Sequence, residues 1–398
     1  MNALDVAARF LSSGDELLVT HFERCLHQIS VEADCDACLQ ACPTEAITKG
    51  DTLIFDKAQC TSCLACVTAC PTGVFTTKSQ LSGLLRCAAY SPTAEIELLC
   101  EFHPSPSGGQ GGIPAVVVRG CLAGLGVGTY LCLLEAGVRK IALRCEACTA
   151  CSLSALYETI EKQVNETHGL LSGEGEAPLV IQLQKKEGTP AQAGPLWNAD
   201  NPPISRRELF QLSTHNGIQR VIDTLGEEVE AGGKTVGADR LRFNASLPRL
   251  SAAQRIRPDA DLEPFGYAAV ALSDECTACA ACARVCPTGA LTFKESDERF
   301  RLSFKPELCI ACELCNKVCF LKAIELVRNL TAGHFAKSST TIMLLEGERK
   351  KCYRCGEWYF ARENTNLCPV CSFRKQNPFS SMLPPGINLH PPGGEVQS

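Results

Sequence analysis

Chemistry in this 398-residue chain centres on its 27 cysteines, most of which stand two residues apart in short runs. Cys60, Cys63, Cys66 and Cys70 follow the spacing Cys-x2-Cys-x2-Cys-x3-Cys, with Pro71 directly after the last. Cys276, Cys279, Cys282 and Cys286 repeat that spacing before Pro287. Cys309, Cys312, Cys315 and Cys319 repeat it again, with Phe320 in the proline's place. A fourth run, Cys35, Cys38 and Cys42 before Pro43, lacks its first cysteine: Glu32 stands there, and Cys25 lies further upstream. Three thiolates two residues apart let one loop wrap three corners of an iron–sulfur cubane, and a fourth before proline points toward a neighbouring cluster. Structural zinc prefers Cys-x2-Cys pairs with longer spacers and has no use for the third cysteine. Disulfide scaffolds are mostly short secreted chains without such series. No metalloprotease histidine motif, Walker-type Gly-Lys-Ser/Thr or Cys-x3-Cys-x2-Cys radical-enzyme triplet occurs.

The four runs resemble the bacterial two-cluster ferredoxin family, over about one ferredoxin length in each half of the chain. The resemblance implies that Cys276, Cys279, Cys282 and Cys319 hold one 4Fe–4S cluster, and Cys309, Cys312, Cys315 and Cys286 its neighbour. In the N-terminal half it implies Cys60, Cys63, Cys66 and Cys42 for one cluster. Cys35, Cys38 and Cys70 would hold the other, with Cys25 reaching across a loop insertion. A three-iron or carboxylate-ligated cluster using Glu32 is the rival reading.

Between the two halves the pattern changes to alternating strands and helices. Strands are expected at Glu95–Cys100, Ala115–Arg119, Lys140–Arg144 and Leu179–Leu183, with helices over 121–136 and 152–167. In a parallel sheet the carboxyl ends of the strands share one edge. Cys100, Cys121 and the triplet Cys145, Cys148 and Cys151 would all reach that edge. A fifth iron–sulfur cluster is expected there, with the triplet and either Cys121 or Cys100 as ligands; Cys87 is a further candidate. Cys132, inside an apolar helix, reads as a core residue. In strand order and cysteine placement the region is similar to the delta subunit of methyl-viologen-reducing hydrogenase, which implies electron transfer to a partner. Gly124, Gly126 and Gly128 lack the dinucleotide-binding spacing and read as close packing of helix on sheet.

Near the C-terminus, Cys352 and Cys355, then Cys368 and Cys371, form two knuckles twelve residues apart. They resemble a zinc ribbon, a closed four-thiolate site; rubredoxin-type iron normally has a longer spacer. Trp358, Tyr359, Arg349, Lys350 and Lys351 offer a face that could dock a partner.

The fold class expected is α+β and multidomain: two ferredoxin-like βαβ-type dicluster modules flanking a small parallel α/β domain, plus a zinc ribbon. The divisions read as 1–79 and 261–330 for the modules, 80–185 for the α/β domain and 186–260 for a linker with helices. The ribbon covers 346–375 and a disordered tail 376–398. Lys185 to Pro203 reads as linker, 204–232 as helical, and 233–260 as a basic, irregular connection.

Charge is nearly balanced, 38 Lys+Arg against 44 Asp+Glu, which gives no case for nucleic acid. The start lacks a secretory pattern. The most apolar stretch, Ile113 to Gly137, is interrupted by Arg119 and Glu135 and does not read as a membrane span. Ser205 to Phe210 looks like a twin-arginine motif but lies mid-chain before a polar run, and is taken as a helix start. A cytoplasmic location is therefore expected.

The function expected is single-electron relay through four or five 4Fe–4S clusters, in an anaerobic oxidoreductase complex. Catalytic partners would be a hydrogenase, a formate dehydrogenase or a heterodisulfide-reductase-type complex. Two other classes stay open: a redox enzyme with a catalytic cluster in the central domain, and a maturation or regulatory scaffold.

Overall fold

The computed structural model describes residues 17–50, 52–172, 180–184, 193–203, 235–335, 341–361 and 366–377. The helical reading of 204–232, with its Ser205–Phe210 motif, and the tail beyond Asn377 lie outside them.

The N-terminal module runs through β1 (Val19–Thr20), α1 (Leu26–Ile29), α2 (Ala37–Ala41), β2 (Ile47–Lys49), β3 (Leu53–Phe55), α3 (Ala65–Ala69) and β4 (Phe75–Thr76). β1 pairs with β4 and β2 with β3, all antiparallel. Helices of four or five residues do not persist on their own. Here they are held by burial of Leu26, Cys38, Ala65, Cys66 and Val67.

The central domain follows with α4 (Leu81–Ala89), β5 (Glu95–Cys100), β6 (Ala115–Val118), α5 (Val127–Glu135), β7 (Lys140–Arg144), α6 (Tyr157–Leu170), β8 (Val180–Gln184) and β9 (Leu196–Asn198). The five strands form a parallel sheet in the order β8-β7-β5-β6-β9. Leu98, Leu99, Val116, Val118, Ile141 and Leu143 are fully buried, the mostly apolar pattern of strands covered on both faces. The buried Glu97 is an exception, and it accepts from the Gln110 N–H. α4 buries Leu81, Leu84, Leu85 and Ala88, one stripe at helical spacing.

The linker reading of 185–203 is corrected by β9 over its described residues, 193–203. Trp197 pairs with Val116 and stacks edge-on against Tyr90 at 6.5 Å, and Pro195 O accepts the Ala115 N–H. Three residues are too few for a period-2 signal.

The irregular connection expected over 233–260 is corrected too. Ala238–Ala252 is a 15-residue helix, α7, despite Pro248 inside it. It buries Phe243, Ser246, Leu247 and Leu250 at i, i+3, i+4 and i+7. α5 is buried all round except at Glu135, as a helix covered on two sides must be, and α7 supplies the second cover. Ser246 donates to Glu135 at 2.9 Å, Arg249 pairs with Glu135 at 2.5 Å, and the Cys132 thiol lies 3.4 Å from the Ser246 hydroxyl.

The C-terminal module repeats the first with β10 (Ala269–Leu272), α8 (Ala281–Val285), β11 (Leu291–Glu295), β12 (Arg299–Phe304), α9 (Leu314–Lys317) and β13 (Ile324–Val327). β10 pairs with β13, and β11 with β12. The chain then adds β14 (Ile342–Lys351), β15 (Trp358–Ala361) and α10 (Pro369–Gln376). β14 lies along β12, so ribbon and module share one sheet, β11-β12-β14-β15. Among the described residues, no helix is long and apolar enough to cross a membrane.

Candidate iron–sulfur and metal sites

Three of the four ferredoxin-type cysteine runs share a backbone conformation that their sequences do not advertise; the Cys35–Cys38 loop lacks it. Between the cysteines, Ser62 and Leu64, Ala278 and Ala280, and Ala311 and Glu313 all take positive φ, from 52° to 65°. The left-handed region is costly for residues with a Cβ, about 1–3 kcal/mol each, and persists only where the surroundings impose it. Alternation of right- and left-handed residues turns successive N–H groups toward one point and makes a cradle for an anion. A second positive φ falls three residues past each proximal cysteine, at Glu45, Gly73, Gly289 and Lys322. It aims the next N–H groups at sulfur: Val74 N donates to Cys70 at 3.3 Å, Leu291 N to Cys286 at 3.5 Å, and Ala323 N to Cys319 at 3.2 Å. Three of the runs continue Cys-Pro-Thr, and the hydroxyls of Thr44, Thr72 and Thr288 lie 3.7–3.8 Å from the sulfurs of Cys42, Cys70 and Cys286. The repeated Cys-Pro-Thr was the sequence signal for this contact.

Each perturbed thiol identifies its neighbours. Burial, then the charges of Cys70, Cys35 and Cys25, push the Cys38 thiol up to about 12. Cys25, Cys35, Cys38 and Cys70 line one small cavity, whereas Glu32 is exposed and does not line it. Burial and then Cys63, Cys60 and Cys42 raise Cys66. Burial, with Cys276, Cys279 and Cys319, pushes Cys282 up to about 11. Burial, with Cys286 and Cys309, pushes Cys312 up to about 11. A second cavity is lined by Cys286, Cys309, Cys312 and Cys315. Thiols crowded this way resist ionising until a metal centre deprotonates them. The four sets fit 4Fe–4S clusters. In the set of Cys25, Cys35, Cys38 and Cys70 an inward N–H comes from Val74 onto Cys70, not from a left-handed cradle in the Cys35–Cys38 loop.

At the carboxyl edge of the central sheet, Cys100, Cys121, Cys145, Cys148 and Cys151 do come together. Burial pushes Cys121 up to about 12, with Cys100, Cys148 and Cys63 adding to it. The triplet is not a ferredoxin cradle. It folds as tight turns, with Cys148 N donating to Cys145 O and Cys151 N to Cys148 O, and no residue in it has positive φ. Among the described residues the buried Tyr130 hydroxyl has no hydrogen-bond partner, and it feels the charges of Cys145, Asp239 and Cys121. That orphaned donor fits an anionic group on this edge. Cys87 is fully buried in α4, and no other cysteine perturbs it.

Sequence reasoning missed the polar set beside this edge. His103 lies 3.2 Å from Glu146, which also accepts from Arg144 at 3.0 Å, all three side chains nearly buried. Gly124, Gly126 and Gly128 do allow close packing, but onto the N-terminal module and helix α7 rather than onto the sheet. A Cβ at Gly124 would lie 2.9 Å from Leu64, and one at Gly126 would meet Asp239 at 2.3 Å. The same approach lets Cys121 N donate to Cys63 O at 3.0 Å.

In the ribbon, the four sulfurs of Cys352, Cys355, Cys368 and Cys371 lie within 4.8 Å of one another. Cys355 and Cys368 sulfurs are 3.8 Å apart. A tetrahedral ion with ~2.3 Å bonds to sulfur spaces its ligands by ~3.8 Å. The Cys368 N–H donates to Cys352 at 3.3 Å and lowers that thiol's pKa. This group can hold a single metal ion.

No curated protein matches the chain. Residues 33–74 and 275–323 each match the 4Fe-4S dicluster domain family; Cys25 lies outside the first of these stretches. The chain therefore carries two dicluster ferredoxin-type segments joined to a five-stranded parallel sheet, an arrangement suited to iron–sulfur electron transfer.

Proposed function

We propose that this chain is an electron-transfer subunit that relays single electrons between partner oxidoreductases such as a hydrogenase, a formate dehydrogenase or a heterodisulfide-reductase-type complex. Four 4Fe–4S clusters in the two modules, and a fifth at the central sheet edge, supply the one-electron sites when bound. The observation that carries the reading is contiguity: Cys63, in the set of Cys42, Cys60 and Cys66, accepts a backbone hydrogen bond from Cys121 of the central edge. The residues Cys145, Cys148 and Cys151, with Cys121 or Cys100, would hold the fifth cluster. In the C-terminal module Cys279 is exposed, and so is Phe320, which follows Cys319 of the same set; this suits exchange with a partner protein. The short spacer favours zinc at Cys352, Cys355, Cys368 and Cys371, as a structural ion. The divisions 1–79, 80–185 and 261–330 are functional units in this reading. The ribbon is an extension of the last.

Iron, sulfide and zinc analysis of anaerobically purified protein tests it. About twenty irons with one zinc are expected, and about sixteen would remove the central cluster. A few irons or none, with zinc at the ferredoxin cysteines, would end the relay reading.

A further inference from the structure

Arg240, in the first turn of α7, sits where the two modules meet. Its guanidinium donates to the carbonyls of Phe265, Glu307 and Cys309, the last at 2.5 Å. It lies over the Tyr267 ring, 3.2 Å from the centroid. Tyr267 is itself fixed, packing on Phe243 and Phe335 at 5.6 and 5.0 Å and donating to Asn244. Among the described residues no carboxylate forms an ion pair with Arg240. Enclosure lowers its pKa from the ordinary value. A guanidinium withdrawn from water is unfavourable without an anion. The charges that act on Arg240 include those of the Cys309 thiol and of the neighbouring Asp239 carboxyl. Burial pushes that carboxyl up to about 6, so it is only a partial counter-charge near neutral pH. The anionic chemistry in hydrogen-bonded contact with the guanidinium is the thiolate set that begins at Cys309, whose carbonyl it holds.

The same turn of helix touches the other module. Gly237 N donates to Pro71 O at 2.9 Å, and a Cβ on Gly237 would lie 2.4 Å from Cys70 O. A helix advances ~1.5 Å per residue, so the three steps from Gly237 to Arg240 link the backbone of Cys70 to that of Cys309. Cys70, Pro71, Arg240 and Ile310 line one shared cavity.

We propose that Arg240 is a positioning charge for the step between modules: it raises the reduction potential of the cluster held by Cys309, Cys312, Cys315 and Cys286, making that cluster the entry point to the C-terminal module. This rests on the relay reading above. The step moves one electron from the Cys25, Cys35, Cys38 and Cys70 site to the Cys309 site, with no bond made and no proton transferred.

The test is a redox titration of the full chain followed by electron paramagnetic resonance, with iron content measured on each sample. The signal of the Cys309 site is assigned by its alteration in Cys312→Ser. Arg240→Gln should lower one midpoint by about tenfold in electron affinity, ~59 mV for a one-electron couple, and leave the others in place. Arg240→Lys, which keeps the charge, should stay near the wild-type midpoint. Unmoved midpoints in the Gln variant, or an equal fall in both variants, would overturn the role of the charge. If the Gln variant loses its iron, the Lys variant decides: a wild-type midpoint supports the proposal and a tenfold fall overturns it. Wild-type protein without four-iron signals would instead refute the relay reading, so the two failures are separable.

Discussion

Cys25 enters its site from outside the regular spacing, on the turn between the short helix Phe22–Arg24 and α1, and is 7 % exposed beside Cys35, Cys38 and Cys70. Glu32, at the regular position, is exposed, and its carbonyl accepts from Lys317 at 3.0 Å. Cys25→Ser is therefore expected to cost one iron, with a three-iron signal, or the whole four-iron unit. Glu32→Gln should leave iron content unchanged. A three-iron signal already present in the wild-type protein, and lost with Glu32→Gln, would reverse the assignment. At this scale the sequence was informative for a physical reason: ligand number and loop reach are written directly in cysteine spacing. It was silent on Tyr130, and on Glu146 with His103 and Arg144, because their meeting depends on separate strand ends coming to one edge.

Helix α7 shows why elements were harder to read than ligands. Pro248 and the scattered arginines Arg240, Arg242 and Arg249 disguise its apolar stripe, and a proline inside a helix removes a hydrogen bond. The stripe matters because α7 covers α5, whose surface is buried all round except at Glu135 and needed a second partner. Asp239 seals this contact at the start of α5, taking hydrogen bonds from the Gly128 and Thr129 N–H groups, with Oδ1 buried. Burial pushes its carboxyl up to about 6. Between the ordinary carboxylate range and that value the folded protein keeps a proton that the unfolded chain has released. Its contribution is therefore fully present below the unfolded pKa and is lost as pH rises through about 6. Asp239→Asn should raise the thermal midpoint more at pH 7.5 than at pH 5, by up to roughly 2–3 kcal/mol in stability. Anaerobic melting at the two pH values measures this. An equal change at both would show that the carboxyl titrates normally. Strands β5 to β8, by contrast, were legible within a residue or two, since long apolar runs ending at turns leave little choice.

At the scale of the whole molecule, the ribbon is a continuation of the C-terminal module, because β14 pairs with β12 on one side and β15 on the other. Cys368→Ser should therefore release the metal and expose 341–377 to limited proteolysis, while iron content stays unchanged, since β11 and β12 still close the module. Loss of iron alongside zinc would show that the sheet transmits the damage. In the proposed relay, exposure marks the point of exchange with a partner. The Cys276, Cys279, Cys282 and Cys319 set has the exposed Cys279, and Phe320, at 59 % exposure, replaces the proline that is half-buried at Pro71 and buried at Pro287. An exposed aromatic beside Leu321 and next to a ligand offers anchoring area to a protein and nothing to a small reductant. Aromatic anchors commonly contribute over 1 kcal/mol to an interface, or about tenfold in affinity. Phe320→Glu should slow reduction by a two-cluster ferredoxin about tenfold in stopped-flow, while reduction by dithionite keeps its rate. If both rates fall together, Phe320 supports the site itself, and electrons enter or leave elsewhere on the molecule.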